Sequence, residues 1–191
     1  NVKRFVLLSK ALRPLPEKYH GLVDEEARAR HRYVDLIMNE ESMNAFVLRA
    51  KIFQVIREFM NSQGYLEVET PVLQPILGGA AARPFITHHN TLDRNYYLRI
   101  ATELPLKKLI AGGFDKVYEI GRIFRNEGMD AMHNPEFTSM EAYAAYQNLD
   151  DMMDLAESLM KYIAKNINKE QFEYKKTKLD FTKKFARVSL I

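Results

Sequence analysis

The sequence holds no cysteine. Disulfides, thiolate metal sites and cysteine nucleophiles are therefore excluded, and a reducing, cytoplasmic compartment is the simplest home to expect. It also lacks any apolar run near the roughly 20 residues needed to span a bilayer, so no membrane partner is expected. Phe5-Val6-Leu7-Leu8, set between charges, is too short for a signal-peptide core. Internal repeats and low-complexity tracts are missing as well. A strong charge of either sign is also lacking: 28 Lys and Arg against 25 Asp and Glu leave +3. That balance is compatible with a nucleic-acid partner, but only a clustered basic face would argue for one. The most basic stretch, residues 175–187, reads as a solvated strand edge.

What is present suffices for one good-sized core, or one domain and part of another: 191 residues, 47% hydrophobic and 28% charged. Residues 1–10 read as a strand and 11–21, with Pro14 and Pro16, as a connector. A charged helix is expected over 24–39, its Glu25, Glu26, Arg28, Arg30 and Arg32 forming a mostly solvated face. A longer helix over 42–63 carries Phe46, Arg49, Phe53, Ile56 and Met60 at steps of three or four, all but Arg49 apolar, with Gly64 as its stop. Strands follow at 65–68, 85–88, 95–100, 116–125 and 136–146. A short helix over 102–111 has Thr102 as a plausible N-cap. A further helix over 150–167 has Asp150, Asp151 and Asp154 at its start and Lys161 and Lys165 near its end, as the helix dipole favours. The last 20 residues suggest one more strand or hairpin. Strands in hairpins with inserted helices make an α+β chain, an antiparallel sheet flanked by helices.

Residues 117–146 carry the chemistry. Alternation puts Phe137, Ser139, Glu141 and Tyr143 on one strand face, and Glu119, Gly121, Ile123 and Arg125 on one face of the preceding strand. Paired as a hairpin, the strands would bring Arg125 and Glu141 to one cavity, a guanidinium for an anion and a carboxylate for an amine. A carboxylate there must meet a cation or open into a cleft. The same residues, with Glu127, would also serve as structural ion pairs across a hairpin, and the pattern alone does not choose. His133 on its loop could equally be idle and exposed.

The run Phe124-Arg125-Asn126-Glu127-Gly128, then His133-Asn134-Pro135-Glu136-Phe137-Thr138, resembles motif 2 of the class II aminoacyl-tRNA synthetases. Residues 50–63 followed by Gly64-Tyr65-Leu66-Glu67-Val68-Glu69-Thr70-Pro71 look like motif 1, whose proline lies at the dimer interface in that class. Residues 78–90 and 98–104 are similar to lysyl-tRNA synthetases of the bacterial type in particular. The resemblance covers nearly the whole chain. It implies that Arg125 clamps the α-phosphate of ATP and the lysine carboxylate, and is the catalytic residue. Phe137 would stack on adenine, and Glu127, His133 and Asn134 would contact ATP. Gly79, Glu103, Glu141 and Tyr143, with Arg125, would hold L-lysine, and Pro71 would sit at a homodimer interface.

It further implies ATP-dependent formation of lysyl-adenylate and transfer of lysine to tRNA(Lys). Residues 1–21 would be the end of an N-terminal OB-fold domain and its connector. Residues 22–191 would be the N-terminal part of the catalytic domain, with motif 3 and the ligands for Mg2+ lying outside the chain. No metal site is expected within it, and alone it should activate lysine poorly or not at all. Met132 stands where the family often has a basic residue. A ligase that attaches lysine to elongation factor P, and a non-catalytic synthetase-like module, are the rival readings.

Overall fold

The computed structural model describes residues 2–16, 21–130 and 132–189. Its contacts divide the chain into Asn1–Ile52 and Phe53–Ile191.

In the first unit, residues 2–16 form no strand. Phe5 and Leu8 are 82% and 92% exposed, so the segment expected to be extended has neither a buried face nor a neighbour to complete its ladder among the described residues. Asn1 and part of the expected connector, 17–20, lie outside the described residues. The single helix expected over 24–39 is two: α1 (Glu25–Arg30), capped by the Asp24 carboxylate on the Ala27 amide at 2.7 Å, and α2 (Arg32–Met38). They break at His31 (φ −114°, ψ 53°). The reason is Asp35, which is fully buried. It accepts from Arg28 Nε at 2.7 Å, from Asn39 Nδ2 at 2.6 Å and from Arg32. In an unbroken helix, residues seven apart are about 10 Å apart along the axis, and the break lets Arg28 fold back. Arg28 and Arg32 thus serve a buried acid. The expected solvated face is otherwise realised: Glu25, Glu26, Arg30 and Arg32 are exposed, and Glu26 pairs with Arg30. α3 (Glu40–Ser62) begins here, and its residues from Phe53 onward belong to the second unit.

The second unit is built on a three-stranded sheet, β1 (Leu66–Glu67), β5 (Lys116–Phe124) and β6 (Glu136–Ala144), in the order β1-β5-β6. β1 runs parallel to β5, and β6 antiparallel. A smaller antiparallel sheet orders β2 (Leu73–Gln74), β4 (Arg94–Leu98) and β3 (Ile86–His89) as β2-β4-β3. α4 (Glu103–Ala111) and α5 (Leu149–Asn166) complete the main part. α5 starts in a capping box between Asn148 and Asp151. β7 (Gln171–Tyr174) and β8 (Thr177–Asp180) form a terminal hairpin whose turn residues, Lys175 and Lys176, have positive φ.

One face of the large sheet is core. Tyr118, Ile120, Met140, Ala142 and Ala144 pack with Phe59 and Met60 of α3, Tyr65, and Leu155, Leu159 and Ile163 of α5. Fully burying a side chain of this size contributes about 1.5–3 kcal/mol. The opposite face carries Glu119, Gly121 and Ile123, paired across the strands with Glu141, Ser139 and Phe137. The alternation expected from the sequence is therefore realised, and it leaves that second face for polar side chains.

Candidate functional site

At the end of β5 the ladder continues one step, with the Arg125 amide donating to the Pro135 carbonyl at 2.8 Å. This closes a loop whose walls form a cleft of about 620 Å³ lined by Arg125, Glu127, Gly128, Met129, Asp130, Met132, His133, Asn134 and Phe137. The Arg125 guanidinium lies over the Phe137 ring, 5.3 Å from its centroid, within cation–π range. Its Nε and Nη2 share the Ile100 carbonyl at 3.4 Å each. Those bonds are long, so the guanidinium keeps donors to spare for an anion.

Glu127 accepts the Arg83 amide at 3.2 Å, and Asn126 donates its amide to the Arg83 carbonyl at 2.7 Å. The loop is thereby tied to the glycine-rich segment before β3. His133 Nδ1 is 2.7 Å from Asp130 Oδ2. Asp130 is held below the usual carboxylate range, first by the Met132 amide and then by His133.

Arg125, Glu127, His133, Asn134 and Phe137 therefore share one cleft. Its lining does not include Gly79, Glu103, Glu141 or Tyr143, which form an adjoining group. Glu141 accepts the Thr102 amide at 3.1 Å and the Tyr143 hydroxyl at 3.0 Å. Of the two outcomes expected for Glu141, a cation or an opening into a cleft, the first is not realised among the described residues: a neutral donor holds each oxygen. Burial pushes the Tyr143 phenol well above its ordinary value, reinforced by the bond and charge of Glu141 and by the charge of Glu103. Glu103, at the first position of α4, pairs with Lys107 at 2.6 Å. Gly79 has φ +90°, and a Cβ there would stand 3.1 Å from that of Ala101 and 3.2 Å from that of Glu103. The backbone at Gly79 can approach this group only without a side chain.

No ion pair among the described residues involves Arg125, Glu127 or Glu141, so the alternative of structural pairs across the hairpin is not realised. What joins the two groups is the stretch Ile100-Ala101-Thr102: its first carbonyl takes Arg125 and its last amide holds Glu141.

That stretch is fixed by residues the sequence reading did not assign. Arg99 is 3% exposed and pairs with Glu119, also 3% exposed. The Arg99 guanidinium also donates to the Arg122 carbonyl at 2.8 Å and the Thr70 carbonyl at 3.1 Å. Glu119 takes the Thr70 hydroxyl at 2.6 Å. Buried charges persist only when so paired. Alternation had set Glu119 on this face, but nothing local in the sequence linked it to Arg99, 20 residues away. Thr102 sits at the N-cap position of α4 without a side-chain cap bond, and its buried hydroxyl has no partner among the described residues.

Pro71 is exposed and lines a separate groove of about 610 Å³ with Leu73, Pro75, Ile76, Leu104, Pro105 and Leu109, among others. Among the described residues no group of three or more His, Asp or Glu could hold a metal ion, and no helix is long and apolar enough to cross a membrane.

The family described as tRNA synthetases class II (D, K and N) matches residues 24–191. Among curated relatives, the lysine–tRNA ligase of Malacoplasma penetrans is 67% identical over 191 residues, all of this chain and 39% of the relative. That of Listeria monocytogenes is 59% identical over 187 residues, 97% of this chain and 38% of the relative. That of Metamycoplasma arthritidis is 58% identical over 185 residues, again 97% and 38%. The chain thus spans about 39% of the length of the first of these.

Proposed function

The chain belongs to the class II tRNA synthetases, and from that premise we propose that the whole protein activates L-lysine with ATP and transfers it to tRNA(Lys). The observation that carries this reading is the Arg125 guanidinium, stacked over Phe137 in the cleft and bonded to the same short backbone stretch that holds Glu141.

In the first step a lysine carboxylate oxygen attacks the α-phosphorus of ATP. The new P–O bond forms as the bond to pyrophosphate breaks, giving lysyl-adenylate. In the second step a hydroxyl at the 3′ end of the tRNA attacks the lysyl carbonyl, and AMP leaves. Neither step needs a nucleophile from the protein.

Arg125 would hold the α-phosphate and the lysine carboxylate, offsetting the charge that builds between them and fixing their approach. Phe137 would stack on adenine, and Glu127, His133 and Asn134 would contact ATP from the loop. Glu103, Glu141, Tyr143 and the Gly79 backbone would hold lysine. Two carboxylates suit a substrate with two ammonium groups, and a neutral analogue would leave one of them unmatched.

Magnesium bound with ATP would offset phosphate charge, but the described residues supply no ligand cluster for it. The family match over 24–191 supports reading 22–191 as part of a catalytic domain, while residues 1–21 are assigned to an anticodon-binding domain by resemblance alone. We further propose a cytoplasmic homodimer with Pro71 at its interface. The groove beside Pro71, with Leu73 and Ile76 47% and 73% exposed, supports that.

The test is ATP–pyrophosphate exchange by the whole protein. Exchange should require lysine and should fall by roughly a hundredfold or more in Arg125→Ala. Exchange that proceeds equally without lysine, or that survives the loss of Arg125, would overturn the assignment.

A further inference from the structure

Glu103 and Lys107 lie one turn apart on α4, in the acid-first order that favours such pairs. Lys107 Nζ donates to Glu103 Oε1 at 2.6 Å and lies 5.9 Å from the centroid of the Tyr143 ring. Tyr143 in turn donates to Glu141 at 3.0 Å. An ammonium on a flexible four-carbon stem is thus already seated beside the side chains assigned to a lysine substrate, and it belongs to the chain itself. Its side chain is 56% exposed and that of Glu103 32%, so the ammonium can withdraw into water without leaving a charge buried.

We infer that Lys107 is an internal competitor in the lysine pocket, its ammonium filling the substrate's place at Glu103 until lysine displaces it. The inference rests on the reading of Glu103, Glu141 and Tyr143 as lysine ligands.

Its chemical consequence concerns specificity. A ligand that presents an ammonium to Glu103 replaces one ion pair with another and releases Lys107 to solvent. A ligand without one offers Glu103 nothing in exchange, and the pair stays closed. Lysine must displace an exposed pair, which costs about two- to threefold in affinity. The vacant pocket meanwhile keeps its Glu103 carboxylate paired.

The experiment is calorimetric titration of lysine into the whole protein at low salt, without ATP. Four variants are compared with the unmodified protein: Lys107→Met, Lys107→Arg, Glu103→Gln, and the double variant Lys107→Met with Glu103→Gln. Lys107→Met should tighten lysine binding by about two- to threefold, leaving ATP affinity unmoved. Lys107→Arg, which keeps a competing cation, should bind as the unmodified protein does. In the Glu103→Gln background, Lys107→Met should have no effect, since the competition is for that carboxylate.

A purely structural pair would move unfolding midpoints but not lysine affinity. If Glu103→Gln weakens lysine binding tenfold or more while Lys107→Met leaves it unchanged or weaker, the competitor role is wrong and the pocket reading stands. If Glu103→Gln leaves lysine binding unchanged, Glu103 is not a lysine ligand and both readings fall.

Discussion

Arg99 runs directly beneath Gly121: a Cβ at position 121 would overlap Arg99 Nη2 and stand 3.2 Å from both Arg99 Cζ and Glu119 Oε1. The site face of β5 is therefore open at that point because a buried guanidinium fills the space. Gly121→Ala should destabilise the protein by about 1–3 kcal/mol, the range for overpacking a dense interior. It should also lower lysine-dependent exchange, since displacing the Arg99 side chain would disturb the backbone that continues into Ile100. Thermal unfolding and exchange assays on the same preparation check both, and an unfolding midpoint equal to that of the unmodified protein would contradict the packing argument.

Glu119 is matched on both oxygens, by Arg99 on one side and by Thr70 on the other. Glu119→Gln puts an amide where a donor already points and leaves a buried guanidinium without its counter-ion. Breaking such a pair costs about 3–5 kcal/mol. Urea unfolding should show that loss, and a change under about 1 kcal/mol would mean that water reaches Arg99.

Phe137 and Arg125 should separate kinetically. Stacking on an aromatic ring is worth about 1–3 kcal/mol per base, so Phe137→Leu should raise the ATP KM by roughly tenfold with the lysine KM little moved. Arg125→Lys keeps a charge but loses the planar fork, and should lower kcat more than it raises either KM. Equal effects of Phe137→Leu on both substrates would speak against adenine on that ring.

Tyr143→Phe removes one of the two donors to Glu141. The remaining bond, from the Thr102 amide, should hold the carboxylate in place while its second oxygen turns to solvent or substrate. Lysine binding should weaken by roughly fivefold to tenfold, about the worth of one hydrogen bond to a charged group. Because the phenol is raised, Tyr143 should keep its proton at pH 10, where an ordinary tyrosine ionises. Equal tyrosinate absorbance of the unmodified protein and Tyr143→Phe at pH 10 checks this.

Asp35 sets an acid limit for residues 24–42. Burial pushes its carboxyl up, but the donors Asn39, Arg28, Ser42 and Arg32 together prevail and hold it below its ordinary value of 3.8. A group with a depressed folded value contributes stability above its unfolded value and loses it as the pH falls toward the folded one. Amide protection in α1 and α2, taken relative to the intrinsic exchange rate at each pH, should therefore be flat from pH 7 down to pH 5 and should fall once the pH drops below about 4. In Asp35→Asn the lowered protection should already be present at neutral pH.

Much of this arrangement was legible in the chain. The β5–β6 hairpin followed from alternation, because a residue step of two fixes which side chains meet. The long helix and its glycine stop held, with Gly64 adopting φ +79° beyond the end of α3. What could not be read were pairings between residues distant in sequence. Arg99 lies just past the end of β4 and Glu119 within β5 of the other sheet, and neither carries a local mark of its partner. The break at His31 has the same origin, since a helical pattern of charges does not say which arginine will turn inward to an acid. Glu141 was expected to meet a cation or open into a cleft, and the sequence did not show that a peptide amide and a phenol would hold it without a cation. The segment 1–10 has strand-like composition, but composition alone supplies no ladder.

The three-residue stretch from Ile100 to Thr102 acts as a hinge pin shared by two tenants. Any phosphate that draws Arg125 away from the Ile100 carbonyl changes what that peptide needs, and the next peptide unit carries the amide that restrains Glu141. Occupancy on one side is thereby felt on the other, so ATP and lysine should alter each other's affinity reciprocally without touching.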